Sequence, residues 1–357
     1  MMHHKYFFSG IKRFLAFLLL CSSVTVLAQT EVSLVLARNL ITPAEEIFAY
    51  AVPKQLGYFD QEGIAPIILK ANGSTAAIQL VASGHAQIGF ASSSSLAAAI
   101  EKGVPVKAFA GLTIRWPYDT AVLQGFDIKQ FSDLKGKRIG VISLASASYA
   151  DLKANLHYAG MTEQDVKIIP VGAGVQAAVA LQNKHVDAIV SYSDSFALMR
   201  QKGIELELLP RSEEMENLFS VTMFTSQDML NNQPDILARF ARAAYKGIIY
   251  THLYPDDALL MSFKEFPELS GSKDPQGIDA QNTKEIMLVA LADSIPANQP
   301  DPAIWGEWLN ISTERWQALL DFSHQTGLID NPMKAEQVWD ASLMNQIFDF
   351  DPQQISK

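Results

Sequence analysis

The sequence has a single cysteine, Cys21, among 357 residues. One thiol cannot form an intramolecular disulfide or a cluster of thiolate ligands, which excludes a disulfide-stapled fold and a thiolate metal site. Basic residues are also few, because 28 Lys and Arg face 38 Asp and Glu, and the formal net charge is −10. The basic side chains form no long run, so we predict no nucleic acid and no anionic membrane surface among the partners.

Catalytic motifs are missing as well. The sequence has no G-x-S-x-G elbow, no H-E-x-x-H helix and no phosphate loop ending in G-K-[ST]. His85 and His185 invite a catalytic interpretation, but each lies at a turn before a predicted strand, away from the loops where a ligand would bind. We therefore predict a binding protein and not an enzyme, with no cofactor and no metal.

The amino terminus has the pattern of a secretory signal peptide. Three basic side chains precede the apolar run 14–20. The small residues of the cleavage region, which ends at Ala28, suit signal peptidase. The apolar run is shorter than the roughly 20 residues that a membrane span needs. We predict residues 1–28 as a leader, cleavage after Ala28 and a periplasmic location. Leu20 is too large to precede a lipidated cysteine, so no lipid anchor is predicted at Cys21.

Short apolar runs alternate with helical patterns in the first two thirds of the chain. Strands are predicted at 32–36, 65–70, 87–91, 106–112, 139–143, 167–171, 187–191 and 204–209, with helices beginning near Glu45, Thr75, Ser94, Tyr149, Val175 and Ser195. This alternation is typical of βαβ units around mostly parallel sheets. Beyond residue 227 the pattern predicts helices almost alone, at 235–253, 256–266, 284–292, 313–326 and 335–345.

An internal repeat divides the alternating region in two. Residues 78–90 match residues 178–190 as a helix, a tight turn and a strand, and each strand runs into a polar loop, 92–95 or 191–195. Ligands of open parallel sheets bind at the carboxyl ends of the strands. Two units of the same construction therefore predict two lobes whose loops face each other across one ligand cleft.

Several motifs resemble those of type II periplasmic solute-binding proteins, in the branch of sulfonate, nitrate and thiamine-pyrimidine binders. Residues Gly57-Tyr-Phe-Asp-Gln-Glu-Gly63 are similar to the family's G-Y-F-x-x-E-G opening, and 83–89 is similar to its G-x-x-D-I-G motif, with Gln87 in place of Asp. Further similar stretches follow in the expected order, at 102–107, 133–140, 186–189 and 314–329. One relative in this family is a pyrimidine synthase with a cysteine-rich motif, and the predicted mature chain lacks cysteine.

The resemblance implies an α/β fold of two doubly wound lobes with a ligand cleft between them. Lobe one would comprise residues 29–114 and 224–357, with the helical carboxyl-terminal region packed on it, and lobe two residues 115–223. Two extended segments, near 115–122 and 219–224, would cross between the lobes. The implied function is that of a monomeric substrate-binding component that passes a small organic solute to an ABC permease in the inner membrane. A ligand sensor that docks to a membrane receptor fits the same pattern.

Side chains in the loops of the predicted cleft are candidate ligand contacts. Hydroxyl groups at helix starts favour an anion or another acceptor, and aromatic rings favour a small organic ligand. Arg115, the only basic residue in these predicted loops, would pair with an acidic ligand group, whereas Asp194 would bind an amino group. The candidates are Asn39, Ser74, Thr75, Ser93, Ser94, Arg115, Trp116, Tyr118, Ser146, Ser148, Tyr149, Gly174, Tyr192 and Asp194.

The identity of the ligand stays open between two chemical classes. The aromatic candidates and the pyrimidine-type tail favour an aromatic heterocycle such as a thiamine-pyrimidine precursor. The serine-rich helix starts and Arg115 leave an aliphatic sulfonate or another small anion as the alternative. The tail tryptophans, at helical spacing, are predicted to pack inside the protein and not to bind ligand: Trp305, Trp308, Trp316 and Trp339.

Overall fold

The structure is a computed structural model that describes residues 29–216, 218–271, 277–295 and 309–357. The predicted leader, residues 1–28, lies outside the described residues, as do Trp305 and Trp308. Within the described ranges, none of the helices combines the length and the apolar character that crossing a membrane requires.

In the described part of the chain, ten strands form two separate five-stranded sheets. The strands are β1 (Thr30–Leu36), β2 (Ile64–Lys70), β3 (Ile88–Ser92), β4 (Val106–Gly111), β5 (Tyr118–Leu123), β6 (Arg138–Val141), β7 (Lys167–Pro170), β8 (Ala188–Tyr192), β9 (Leu206–Leu208) and β10 (Val221–Ser226). Sheet one has the order β2-β1-β3-β10-β4, and sheet two has the order β7-β6-β8-β5-β9. We call the body around sheet one lobe one, and the body around sheet two lobe two.

Helices cover the faces of both sheets. They are α1 (Val52–Gln55), α2 (Tyr58–Gln61), α3 (Ser74–Ala82), α4 (Ser93–Glu101), α5 (Ala147–Tyr158), α6 (Val175–Gln182), α7 (Ser193–Gln201), α8 (Glu213–Glu216), α9 (Gln227–Asn232), α10 (Pro234–Leu253), α11 (Pro255–Glu265), α12 (Ile278–Leu291), α13 (Thr313–Gln325), α14 (Ala335–Val338) and α15 (Met344–Ile347). A short π-helical segment, Ile47–Ala51, precedes α1. The predicted fold class, two doubly wound α/β lobes, is confirmed.

The two crossing segments become strands inside the sheets. β5 runs antiparallel to β8 and β9 in sheet two, whereas β10 runs antiparallel to β3 and β4 in sheet one. Residues 221–225 of β10 are buried, so their backbone groups need hydrogen-bonding strands on both sides. Each sheet is therefore mixed, with one antiparallel strand among parallel ones. The predicted lobe boundaries at residues 114 and 223 stay a prediction.

The carboxyl-terminal helices pack mainly on lobe one. In α10, the ring of Phe240 lies 5.1 Å from the ring of Phe59, and the hydroxyl group of Tyr245 donates to the carbonyl oxygen of Gly111 at 2.7 Å. α12 also reaches lobe two, because the side-chain amide of Gln201 donates to the carbonyl oxygen of Asn282 at 2.8 Å. The described helices of the tail thus pack mainly on lobe one, and α12 also contacts lobe two.

Trp316 and Trp339 are core residues, as predicted. Their rings stack at 5.6 Å, and the ring of Trp316 meets the ring of Phe219 edge-on at 4.9 Å. The single helix predicted over 335–345 is wrong. Trp339 is extended and forms a parallel bridge with Ala108 of β4, so the helical pattern breaks into α14 and α15. Pairing with a strand edge outweighs helix propensity there.

The two histidines lie where the sequence placed them. His85 and His185 are exposed turn residues just before β3 and β8, and the hydroxyl group of Ser83 lies 2.8 Å from Nδ1 of His85. Both turns are remote from the carboxyl ends of the strands. Both histidines are therefore turn residues, away from the strand ends where a ligand would bind.

Candidate ligand-binding cleft

A cavity of about 320 Å³, which we call the first cavity, lies between the two lobes. Lobe one contributes the loops after β1 and β2, and lobe two contributes the ends of β6 and β8 and the turn before α6. Its apolar side chains are Leu40, Ile41, Ile142, Val175, Leu198, Leu269 and Ile286, and its polar ones include Arg38, Asn39, Thr42, Asn72, Gln176, Tyr192, Asp194 and Glu268. A mostly apolar cavity with a few polar groups is typical of sites for small organic ligands.

Arg38 crosses from lobe one to lobe two at this cavity. Its Nη1 lies 2.8 Å from Oδ2 of Asp194, and its Nε lies 3.0 Å from Oε1 of Glu45. The guanidinium carbon lies 3.8 Å from the centroid of the Tyr192 ring, which is a cation–π contact. Burial works against the charge of Arg38, but Asp194 and Glu45 outweigh it and raise the pKa of the guanidinium. Arg38 is therefore a charged link between the lobes.

Glu46 adds a proton to this cluster. Its side chain is fully buried, and Oγ1 of Thr42 lies 3.2 Å from both carboxyl oxygens. Burial, together with the negative charge of Glu45, raises the pKa of Glu46 to about 8. Glu46 is thus mostly protonated at pH 7. Arg38 then faces two carboxylates, those of Asp194 and Glu45, so the cluster carries no excess positive charge.

Aromatic rings support Tyr192 from behind. The Tyr118 ring lies 4.8 Å from the Tyr192 ring, and the Trp116 ring lies 6.1 Å from the Tyr118 ring. Nε1 of Trp116 donates to Oδ1 of Asp151 at 2.6 Å. Burial raises the pKa of Asp151 to about 7, although this hydrogen bond opposes the shift. Trp116 and Tyr118 are therefore packed behind the cavity wall.

A second cavity, of about 380 Å³, lies between α3 and α4 of lobe one and the start of α5 in lobe two. The two lobes are in close contact between the two cavities, where N of Thr75 donates to the carbonyl oxygen of Ala145 at 3.3 Å. Gly73 lies at this contact with φ of +98°, and a Cβ there would be 2.9 Å from the same oxygen. A side chain at position 73 would push the lobes apart, so this approach requires glycine.

The predicted site residues divide into three groups. Four line the first cavity: Asn39, Gly174, Tyr192 and Asp194. Four line the second cavity: Thr75, Ser94, Ser146 and Tyr149. The remaining six are outside both linings: Ser74, Ser93, Arg115, Trp116, Tyr118 and Ser148.

Three of the six are serines whose hydroxyl groups bond to the protein itself. Oγ of Ser74 accepts from N of Ser92 at 3.2 Å, and Oγ of Ser148 accepts from N of Ile142 at 3.0 Å. The hydroxyl group of Ser93 donates to the carbonyl oxygen of Ser220. The structure thus gives these serines a role at the strand–helix turns, because their hydrogen-bonding groups are used there.

Arg115, interpreted as the basic residue of the cleft, stays a predicted ligand contact. Its side chain is exposed and outside both cavities, whereas Arg38 occupies the cleft. The sequence did contain a signal for Arg38, because it lies two residues after the end of β1 and precedes the candidate Asn39. Its place in the cleft was not predicted, because no local pattern links Arg38 to Asp194.

The chain is similar in sequence to several known proteins. A riboflavin-binding protein, RibY of Chloroflexus aurantiacus, is 25% identical over 300 residues, which is 83% of this chain and 82% of that protein. A 4-amino-5-hydroxymethyl-2-methylpyrimidine phosphate synthase of Legionella pneumophila is 26% identical over 228 residues, 61% of this chain and 69% of the enzyme.

A solved structure and a family model extend these similarities. The alkanesulfonate-binding protein SsuA of Xanthomonas axonopodis pv. citri, bound to MOPS, superposes with a TM-score of 0.65 at 15% identity, over 88% of this chain and all of that chain. At this identity the likeness establishes a shared fold. Residues 45–258 match the family model described as NMT1/THI5 like, which is more than half of the chain. The chain therefore belongs to the NMT1/THI5-like family.

Proposed function

We propose that this protein is the extracytoplasmic substrate-binding component of an ABC importer and that it captures an aromatic heterocycle in the first cavity. The observation that carries the proposal is an apolar cavity between two lobes, whose buried arginine is neutralised by Asp194 and Glu45. The names of two relatives, a riboflavin-binding protein and a pyrimidine phosphate synthase, support a heterocycle of the flavin or pyrimidine class.

The charge of the first cavity favours a heterocycle over an anion. An anionic ligand would have to compete with two carboxylates for Arg38, and Glu268 in the lining would repel it. A flat, neutral ring instead gains from burial against Ile142, Val175 and Leu198. Carboxylate, amide and hydroxyl groups in the same lining can pair with the donors and acceptors at the edge of a heterocycle. A sulfonate in this cavity is therefore the weaker alternative.

A binding role is favoured over catalysis by the composition of the two linings. Within the described part of the chain, neither cavity is lined by a histidine or a cysteine. The described residues also bring no three His, Cys, Asp or Glu side chains together in a way that would hold a metal ion. A synthase of the kind named for the Legionella relative needs groups that transform its substrate, whereas a binding protein needs complementarity and closure of the lobes.

The ligand class is tested by a thermal-shift screen of the mature protein, residues 29–357. Flavins, aminopyrimidines, sulfonates and nitrate are compared at equal concentrations. A ligand present at a hundred times its Kd stabilises the folded state by about 2.7 kcal/mol, which gives a clear rise in Tm. We expect this rise with a flavin or a pyrimidine. A rise with sulfonates or nitrate alone would contradict the proposal.

Tyr192→Ala is expected to weaken binding of the heterocycle by about 1–3 kcal/mol, the scale of one buried aromatic contact. Tyr192 lines the first cavity and also holds Arg38 by its cation–π contact. Titration calorimetry measures the change in affinity. Tyr149→Ala is the matched control, because that tyrosine lines the second cavity and should leave heterocycle binding unchanged. Equal losses of affinity in the two variants would show that Tyr192 does not contact the heterocycle.

Export is expected to produce a mature chain that begins at Gln29. The leader pattern supports this expectation, because signal peptidase favours the small residues that end at Ala28. Mass spectrometry of the protein in a periplasmic fraction measures the amino terminus. An intact leader, or a diacylglycerol on Cys21, would contradict cleavage after Ala28.

A further inference from the structure

The second cavity differs from the first in its charge. Lys102 of lobe one and Lys153 of lobe two both line it, and neither aspartate nor glutamate does. Among the described residues, no carboxylate lies within 4 Å of either ammonium group. In a chain of net charge −10, two lysines without an ion-pair partner at one cavity are an unusual arrangement.

The carboxylates nearest to these lysines in the chain are bonded elsewhere. Glu101, next to Lys102, accepts from N of Asp330 at 3.1 Å and from the side-chain amide of Asn331 at 3.0 Å. Near Lys153, Oδ1 of Asp151 accepts from Nε1 of Trp116 at 2.6 Å, and the carboxylate of Glu163 accepts from the hydroxyl group of Tyr149. The ammonium group of Lys153 lies 5.1 Å from the centroid of the Tyr149 ring. The two positive charges therefore remain available to a ligand.

Hydroxyl groups complete the lining of the second cavity. Thr75, Ser94, Ser95 and Ser146 all contribute to it. The hydroxyl groups of Ser94 and Ser146 already bond to Ser92 and to Ser143 and Ser148, so those of Thr75 and Ser95 are the ones open to a ligand. These residues lie at or beside the starts of α3, α4 and α5, where no side chain caps the helix. Helix starts carry partial positive charge, which attracts an anion even where, as at Thr75, an N–H group of the first turn is bonded to a carbonyl oxygen. Lysines, hydroxyl groups and helix starts together make a site for a compact anion.

We propose that the second cavity binds a small tetrahedral oxyanion, of the phosphate or sulfate class, as a ligand separate from the heterocycle. Lys102 and Lys153 come from opposite lobes, so an anion between them bonds to both lobes at once. Such an anion binds the closed arrangement more tightly than an open one and therefore stabilises closure. This inference does not rest on the heterocycle, because it concerns another cavity and another chemistry.

The test is calorimetric titration of the mature protein with inorganic phosphate, and separately with sulfate, without any heterocycle. Chloride at equal ionic strength controls for general screening. We expect saturable binding of one tetrahedral anion per chain, and at least a tenfold weaker association constant in the double variant Lys102→Met/Lys153→Met. A phosphate ester, glycerol 3-phosphate, tests whether the site accepts an organic phosphate as well as the free ion.

The matched control is Lys70→Met/Lys167→Met. It removes the same charge, also one lysine from each lobe, and both side chains are exposed and outside the second cavity. Thermal unfolding of both double variants without anion verifies that each remains folded. Equal losses of affinity in the two double variants, or no saturable binding by the unmodified protein, would overturn the proposal.

Discussion

Replacing Arg38 with methionine is expected to lower the free energy of unfolding by about 3–5 kcal/mol and to weaken ligand binding strongly. The substitution keeps most of the apolar stem but leaves Asp194, whose side chain is 4% exposed, as an unpaired buried charge. Removing one partner of a buried ion pair typically costs this much. It also removes the link between lobe one and lobe two, so the open arrangement gains population. Urea unfolding and titration calorimetry measure the two effects.

Arg138→Met is the matched control for this substitution. Arg138 pairs with Asp187 at 2.7 Å, but its side chain is 40% exposed, and the pair lies within lobe two. A pair this exposed contributes about 1 kcal/mol or less. The double variant Arg38→Met/Asp194→Asn should recover part of the lost stability, because the unpaired charge is gone. Similar losses for Arg38→Met and Arg138→Met would contradict the role of Arg38 as the buried link.

Replacing Glu46 with glutamine is expected to stabilise the protein at high pH. Burial and Glu45 raise the pKa of Glu46 to about 8 in the folded protein, from 4.5 for an ordinary glutamate. The folded state holds this proton more tightly than the unfolded state, so the contribution of Glu46 to stability is fully present below pH 4.5 and is lost as the pH rises through 8. Glutamine stays neutral throughout. At pH 9 the variant should be more stable by on the order of 2–4 kcal/mol, and at pH 5 by less than about 1 kcal/mol.

The measurement for Glu46→Gln is urea unfolding at pH 5, 7 and 9. Glu45→Gln provides the comparison at the neighbouring position. It removes a direct partner of Arg38, 3.0 Å from Nε, and should lower stability at neutral and high pH. A Glu46→Gln variant that is less stable than the unmodified protein at pH 9 would show that the ionised carboxylate of Glu46 stabilises the fold through Arg38, and would contradict the prediction.

The sequence predicted the fold well because its signals are local. All eight predicted strands form, since apolar runs of the right length bounded by turns are sufficient to indicate them. The partners of β5 and β10 could not be read in the same way. Their sheet neighbours are distant in the chain, since Thr225 of β10 pairs with Ile88 of β3, 137 positions earlier. A short apolar run contains no information about which strand it will pair with. The break between α14 and α15 had the same origin, because Ala108 is distant in sequence from Trp339.

The site was predicted only in part, because the direction of each side chain and the residues it pairs with decide which loop residues reach a cavity. Tyr192 and Asp194 follow a strand end and do line the first cavity. Trp116 and Tyr118 looked equally suitable, yet packing turns them behind Tyr192. The role of Arg38 depends on Asp194, 156 positions later in the chain. Local pattern carries no information about a pair this distant.

The central claim, that a heterocycle binds between the lobes at Arg38 and Tyr192, is tested most directly by a crystal structure with the ligand identified in the screen. The account predicts ring atoms within about 4 Å of both Tyr192 and Leu198, the distance of apolar contact. It also predicts that Arg38 and Asp194 remain paired across the closed lobes. A heterocycle found instead beside Ser94 and Tyr149 in the second cavity, with the first cavity lacking it, would contradict the account.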